Sequence, residues 1–173
     1  MSALRLINET SGTSVSSISV TDVFTSDFDI YKIVIAPMDI NNNNDMELRF
    51  INTSGSVVSA SNYDNAISVM TAYTTFPETR QTNTTRITGV GRDEQQSGNG
   101  TVMYVFNPNS ASSYSFVIHQ DNGFVTGSGY VGYKGIGVLK QTASMGGYQI
   151  FPTTSTNLIT ATTRTYGLRV DNG

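Results

Sequence analysis

Met46-Glu47-Leu48-Arg49-Phe50 and Tyr114-Ser115-Phe116-Val117-Ile118 decide the fold class of this chain of 173 residues. In each run apolar side chains recur at every second position. On a pleated strand that spacing gathers them on one face, which goes to a core, and leaves the other face to water. Met46, Leu48 and Phe50 are therefore expected inward, with Glu47 and Arg49 outward. Around these runs lies a background of Ser, Thr, Asn and Gly, the setting of short strands joined by turns. The expected class is all-β: an antiparallel β-sandwich of jelly-roll type with an extended N-terminal segment.

Outward from these two runs the same grammar repeats. Phe28 to Pro37 is close to continuously apolar, which implies burial on both faces, and Pro37, which cannot donate to a ladder, is expected to close that strand. Thr101 to Phe106, Tyr130 to Leu139, Tyr148 to Phe151 and Thr165 to Val170 are further strands. Turns are expected at Asn107-Pro108-Asn109, Asp121-Asn122-Gly123 and Met145-Gly146-Gly147. Ser59 to Tyr73 fits a helical spacing as well as a strand and is left open. Thr74 to Gln96 reads as polar and loop-rich, with one strand around Arg86 to Val90. Residues 1–27 form an extended arm or the first strands of the sandwich, and residues 28–173 the sandwich proper.

Composition removes several function classes. No Cys is present, which excludes disulfides, thiolate nucleophiles and Cys-ligated zinc together. The net charge is -3 and the 10 Lys and Arg are scattered, against a phosphate-tracking surface, so no nucleic-acid partner is expected. No apolar run approaches the roughly 20 residues of a membrane helix, so no membrane partner is expected. Met1 to Arg5 shows no secretory signal, which implies synthesis and folding in a cytoplasm. Nine Tyr and eight Phe argue for a packed core against the disorder that so much Ser, Thr and Asn could suggest.

Chemistry-bearing motifs are sparse. Asp39, Asn41, Asn43 and Asp45 copy the front half of a calcium loop, but Asn44 stands where Gly is needed and Phe50 where a bidentate Glu is needed, so a turn is expected and no metal. Gly127-Ser128-Gly129-Tyr130-Val131-Gly132 spells a phosphate-cradling motif, yet the chain continues as strand where a helix must follow. His119 ends an apolar run and reads as a packing or surface residue, since no G-x-S-x-G elbow accompanies it. Asp93 and Glu94 sit in a polar loop where solvation accounts for them. The N-x-S/T sequons at Asn8, Asn52, Asn83 and Asn99 are what a chain of this composition produces by chance. No catalytic residue, cofactor or metal is expected.

Three stretches in order carry a resemblance: Asp29-Ile30-Tyr31-Lys32-Ile33-Val34-Ile35, then Glu47-Leu48-Arg49-Phe50 leading to Ser61-Asn62-Tyr63, and finally Thr165-Tyr166-Gly167-Leu168-Arg169-Val170. Met103 to Asn109 fits with them. Together they resemble tailed-bacteriophage virion surface proteins of jelly-roll type, over most of Phe28 to Val170. The resemblance implies a location on the virion, a homotrimer, and a role as a capsid decoration (cement) protein or a tail-fibre module. The partners it implies are further copies of the chain and a phage major capsid protein or other virion protein. A fibre needs a shaft of repeats or coiled coil, and this chain has neither, which favours decoration.

Residues outside the match are where attachment is expected. Leu4, Leu6, Ile18 and Val20 are too sparse to build a core of their own but suit strand pairing or shallow pockets on a partner. The alternative is that this segment supplies the first strands of the sandwich. For a fibre or glycan-binding role, Tyr63, Tyr73, Tyr114, Tyr130 and Tyr133 are the candidate stacking surfaces.

Overall fold

A computed structural model describes residues 4–42, 44–72, 76–93, 99–125 and 129–168. Among these residues lie twelve strands: β1 (Leu4–Val15), β2 (Ile18–Val20), β3 (Ile30–Ile40), β4 (Asn44–Asn52), β5 (Tyr63–Thr71), β6 (Glu78–Thr84), β7 (Ile87–Asp93), β8 (Asn99–Phe106), β9 (Ser115–Val125), β10 (Gly129–Leu139), β11 (Met145–Pro152) and β12 (Ile159–Leu168). All their pairings are antiparallel. They form an eight-stranded sheet in the order β1-β12-β3-β8-β9-β10-β5-β6 and a four-stranded sheet in the order β2-β11-β4-β7. The protein is thus the expected antiparallel β-sandwich. β3 pairs with β12 in one sheet while β4 pairs with β11 in the other, the nested arrangement of a doubled-over chain. The consecutive strands β8, β9 and β10 depart from it by staying together as a meander.

Alternation places the core. Tyr31, Ile33 and Ile35 of β3 meet Met46, Leu48 and Phe50 of β4 and Tyr148 and Ile150 of β11, all fully buried between the sheets. Each large tyrosine there has its hydroxyl satisfied, as a buried phenol requires. The Tyr148 hydroxyl lies 2.6 Å from Thr163 Oγ1 and 2.9 Å from Thr165 Oγ1. Tyr63 donates to the Val58 carbonyl at 2.8 Å and accepts the Phe50 amide at 3.1 Å. Tyr31 does the same with both backbone groups of Thr25, which fixes the link between β2 and β3.

Several expectations need correction. Of the two forms left open for the N-terminal segment, it takes that of first strands, with β1 pairing along β12 and β2 with β11. Ile18 and Val20 are 4% and 2% exposed inside the shared core, because the three-residue β2 turns both side chains onto Phe24 and its neighbours, so neither is presented to a partner. Pro37 does not close β3; it sits in a bulge between Ile35 and Met38, where its missing N–H interrupts no ladder bond. Ser59 to Tyr73 contains a strand, β5, in which Tyr63, Asn65 and Ile67 face inward at period two. The stretch from Thr74 holds two strands, since β6 is a polar edge strand without alternation. Asp121-Asn122-Gly123 is interior to β9, and Met145-Gly146-Gly147 opens β11 with a bulge.

Candidate functional site

The second deciding run is inverted relative to the expectation. Ser115, Val117 and His119 face the core, while Phe116 and Ile118 point outward at 45% and 44% exposure. The registers show how far this extends. One outward row runs Leu4, Leu168, Ile30, Phe106, Phe116 and Val138 across β1, β12, β3, β8, β9 and β10. The next runs Leu6, Tyr166, Lys32, Tyr104, Ile118 and Ile136, ending on Ala66 of β5. The third runs Glu9, Arg164, Val34, Val102, Gln120 and Lys134 and is apolar only at Val34 and Val102. Leu6 is 51% and Ile136 60% exposed, and Tyr130 of β10, on the same side by parity, 70%.

This outer face is the candidate site. Seven adjacent strands at about 4.8 Å spacing and three outward rows at about 6.8 Å cover on the order of 700 Å². About two thirds of these positions are apolar, on the order of 450 Å², the size of the largest apolar patch on a typical monomer, about 300–600 Å², which is often functional. It is also shaped. A shallow cavity of about 510 Å³ has Val102, Tyr104, Ile118 and Ile136 on its floor and Glu78 and Arg80 of β6 along one wall. Two lysines interrupt the face, Lys32 within the second row and Lys134 in the third, and an ion pair lies at each end. Arg164 Nε meets Glu9 Oε2 at 2.6 Å at one end, and Lys140 Nζ meets Asp64 Oδ1 at 2.8 Å at the other, which holds the Asp64 carboxyl below its usual range.

Of the sequence-derived interface residues, Leu4 and Leu6 lie on this face and Ile18 and Val20 do not. Sequence reasoning missed the strands at its centre. The available signal was that β3, β8 and β9 are apolar at even as well as odd positions, which reads as burial on both sides while only one side is covered by this chain. The stacking candidates divide similarly. Tyr63 and Tyr133 are buried framework, Tyr114 and Tyr130 are exposed, and Tyr73 lies outside the described residues.

The interior holds a polar seam between β9, β10, β4 and β7. The Tyr133 amide donates to Asp121 Oδ1 at 2.6 Å, and its hydroxyl takes a bond from Arg92 and donates to Asp45 Oδ1 at 3.1 Å. Burial pushes the Asp121 carboxyl up to about 7, helped by the nearby Asp45 charge and opposed by the Tyr133 amide and Arg92. Burial also raises Asp45, opposed by Arg92, and pushes the Tyr133 hydroxyl up to about 12. His119 is driven down to about 4 by burial alone, and neither ring nitrogen has a hydrogen-bond partner. With no hydroxyl and no carboxylate held on the imidazole, the geometry of a nucleophilic triad is not assembled there.

The remaining motifs do not converge. Asn41 accepts the Leu158 amide, while the Asp45 side chain turns to Arg92 and Tyr133, and Asn43 lies outside the described residues. Among the described residues no group of three or more His, Asp and Glu could hold a metal ion. Gly129 to Gly132 continue as strand β10, and Gly127 and Ser128 lie outside the described residues, as do Glu94 and the Asp93 side chain. Glu47, expected outward, is only 2% exposed because Arg86 covers it at 2.6 Å.

No protein-family model matches the chain, and no curated protein matches it. Among solved structures, a human SPRY domain is similar at 7% identity and a TM-score of 0.26, covering 95% of this chain and 99% of that one. The CBM2 module of the evolved Dit of Lactobacillus casei BL23 phage J-1 is similar at 8% identity and a TM-score of 0.30, covering 94% and 77%. Scores of this size carry neither a fold assignment nor a function.

Proposed function

We propose that the chain is a structural virion protein that decorates and stabilises a tailed-phage capsid, assembling with other subunits and performing no catalysis. The observation that carries this reading is the apolar outer face of the eight-stranded sheet. A surface on the order of 700 Å² that the described residues leave uncovered is close to the roughly 800 Å² each partner contributes to a standard interface. It suits a protein whose work is to be held in an assembly. The resemblance of the β3, β4 and β12 sequences to virion surface proteins supplies the kind of assembly.

The test is co-sedimentation of the purified chain with purified particles of the phage that encodes it. Saturable binding is expected; its absence would overturn the reading. A second reading, a glycan- or receptor-binding module of a tail fibre, is favoured by Tyr130, 70% exposed with Phe124 edge-on at a ring distance of 5.6 Å. An exposed, braced ring of this kind is a stacking platform for a sugar. Host-surface glycan binding that Tyr130→Ala abolishes, without binding to particles, would decide for it.

A further inference from the structure

We infer that the cleft between the two sheets at β5, β6 and β7 binds a neutral saccharide, with Thr79, Gln81 and Arg86 holding its hydroxyls. This goes beyond the assembly reading and uses neither the apolar outer face nor Tyr130. The larger sheet is wider than the smaller one, whose edge strand β7 lies over β9, β10 and β5. β6 overhangs that edge, and its inward side, with that of β5, forms one wall of a cavity of about 490 Å³. The facing wall carries Asp45, Glu47, Arg86 and Arg92. Such a volume lies within the roughly 300–1,000 Å³ of small-molecule sites, which combine an apolar lining with a few convergent polar groups.

Three features choose the occupant. The floor is apolar: Ile67 and Val131 are 8% and 6% exposed and, with Val69 and Tyr133, form a cluster separate from the main core. A ligand that lies on it needs a face of C–H groups. The charges of the lining are already matched, Arg86 Nε to Glu47 Oε2 at 2.6 Å and Arg92 Nε to Asp45 Oδ1 at 3.6 Å. An ionised ligand would have to displace one of these partners, and Glu47, 2% exposed, is costly to leave buried and unpaired. Last, hydrogen-bonding groups stand unused along the walls. Gln81 and Thr79 face inward opposite Asn65 and Ile67, and neither side chain has a partner among the described residues. Arg86 gives Nε to Glu47 and Nη1 to Thr85 and keeps Nη2. The amide and the hydroxyl each both donate and accept, which matches the hydroxyls of a sugar. An apolar ligand would strip these groups of water and return no bond. An extended peptide finds its backbone partners on the free edges of β6 and β7, not among side chains facing one another across a cleft. A sugar ring meets all three demands, with its C–H face on the floor and its hydroxyls on the walls.

The experiment is binding of the labelled intact chain to an array of oligosaccharides. Neutral probes are built from glucose, galactose, mannose, rhamnose and N-acetylglucosamine, and charged probes carry uronic or sialic acid. The array is repeated for Gln81→Ala, for Thr79→Trp, which fills the cleft, for Arg80→Trp on the opposite face of the same strand, and for Tyr130→Ala. Circular dichroism and thermal melting verify each fold; Thr79 and Arg80 are exposed on an edge strand, so both tryptophans are expected to be tolerated. A neutral saccharide is expected to bind. Gln81→Ala is expected to weaken it about tenfold and Thr79→Trp to abolish it, while Arg80→Trp and Tyr130→Ala leave it unchanged. Absence of binding to every probe overturns the inference, and so does binding confined to the charged probes or binding that both cleft variants leave intact. Binding lost in Tyr130→Ala and kept in the cleft variants moves the sugar to the outer face, which removes this inference and keeps the glycan-binding reading. Particle binding by the same variants reports the assembly reading separately.

Discussion

His119 and Asp121 sit two residues apart on the inward face of β9 and titrate in opposite senses. The folded chain holds Asp121 at about 7 against an ordinary carboxyl value of 3.8, so folding favours its protonated form. The stability this contributes is fully present below 3.8 and is lost as pH rises to about 7, about 4 kcal/mol in all at about 1.4 kcal/mol per unit. His119 is held at about 4 against 6.5, so folding favours its neutral form; that stability is present above 6.5 and lost as pH falls to about 4. In the intact chain the two slopes offset each other between about 4 and 7. Single substitutions separate them. Asp121→Asn is expected to give a urea midpoint that falls as pH drops from 6.5 toward 4, and His119→Leu one that falls as pH rises from 4 toward 7. Two variants with the same pH profile would contradict this account of the seam. None of it was legible in the sequence, where Asp121-Asn122-Gly123 carries the chemistry of a turn. Its strand character comes from pairing with Gly100 and Thr101 of β8 and Val131 of β10, partners distant in sequence, to which the Asp121 and Asn122 side chains add bonds from the Tyr133 and Gly100 amides.

Among the elements, β4 was legible because its apolar side chains and its core face coincide. β9 was misread because they do not: Phe116 and Ile118 obey the same alternation as Met46 and Leu48 but face outward, and periodicity cannot say which side of a sheet is covered. A polar edge such as β6 leaves no alternation to detect. The N-terminal strands show what short sequences hide, since three residues, Ile18-Ser19-Val20, give no periodic signal yet bury two side chains. Gly147 explains how closely β2 lies: a Cβ there would collide with the Val20 carbonyl oxygen. Removal of residues 1–23 takes away Ile18, Val20 and Val23 together, each burial contributing about 1.5–3 kcal/mol, against a total stability of about 5–15 kcal/mol for a domain. The truncated chain is expected to lose its cooperative thermal transition. A truncated chain that melts near the temperature of the intact one would show that β1 and β2 contribute little to the fold.

At the scale of the molecule, one face of the larger sheet is closed by the smaller sheet and the other carries apolar rows that the described residues leave in water. The sandwich class could be derived from alternation and turns, while the interaction surface could not, because it is built by register across six or seven strands from residues that are individually ordinary. Placing the protein in an assembly rests on that surface. The most direct measurement is a density map of the intact phage particle resolved well enough to trace β8, β9 and β10. The account predicts the chain on the capsid exterior with Phe116, Ile118 and Ile136 covered by a neighbouring subunit. A map in which the chain is present with this face open to solvent, or absent from the particle, would contradict it.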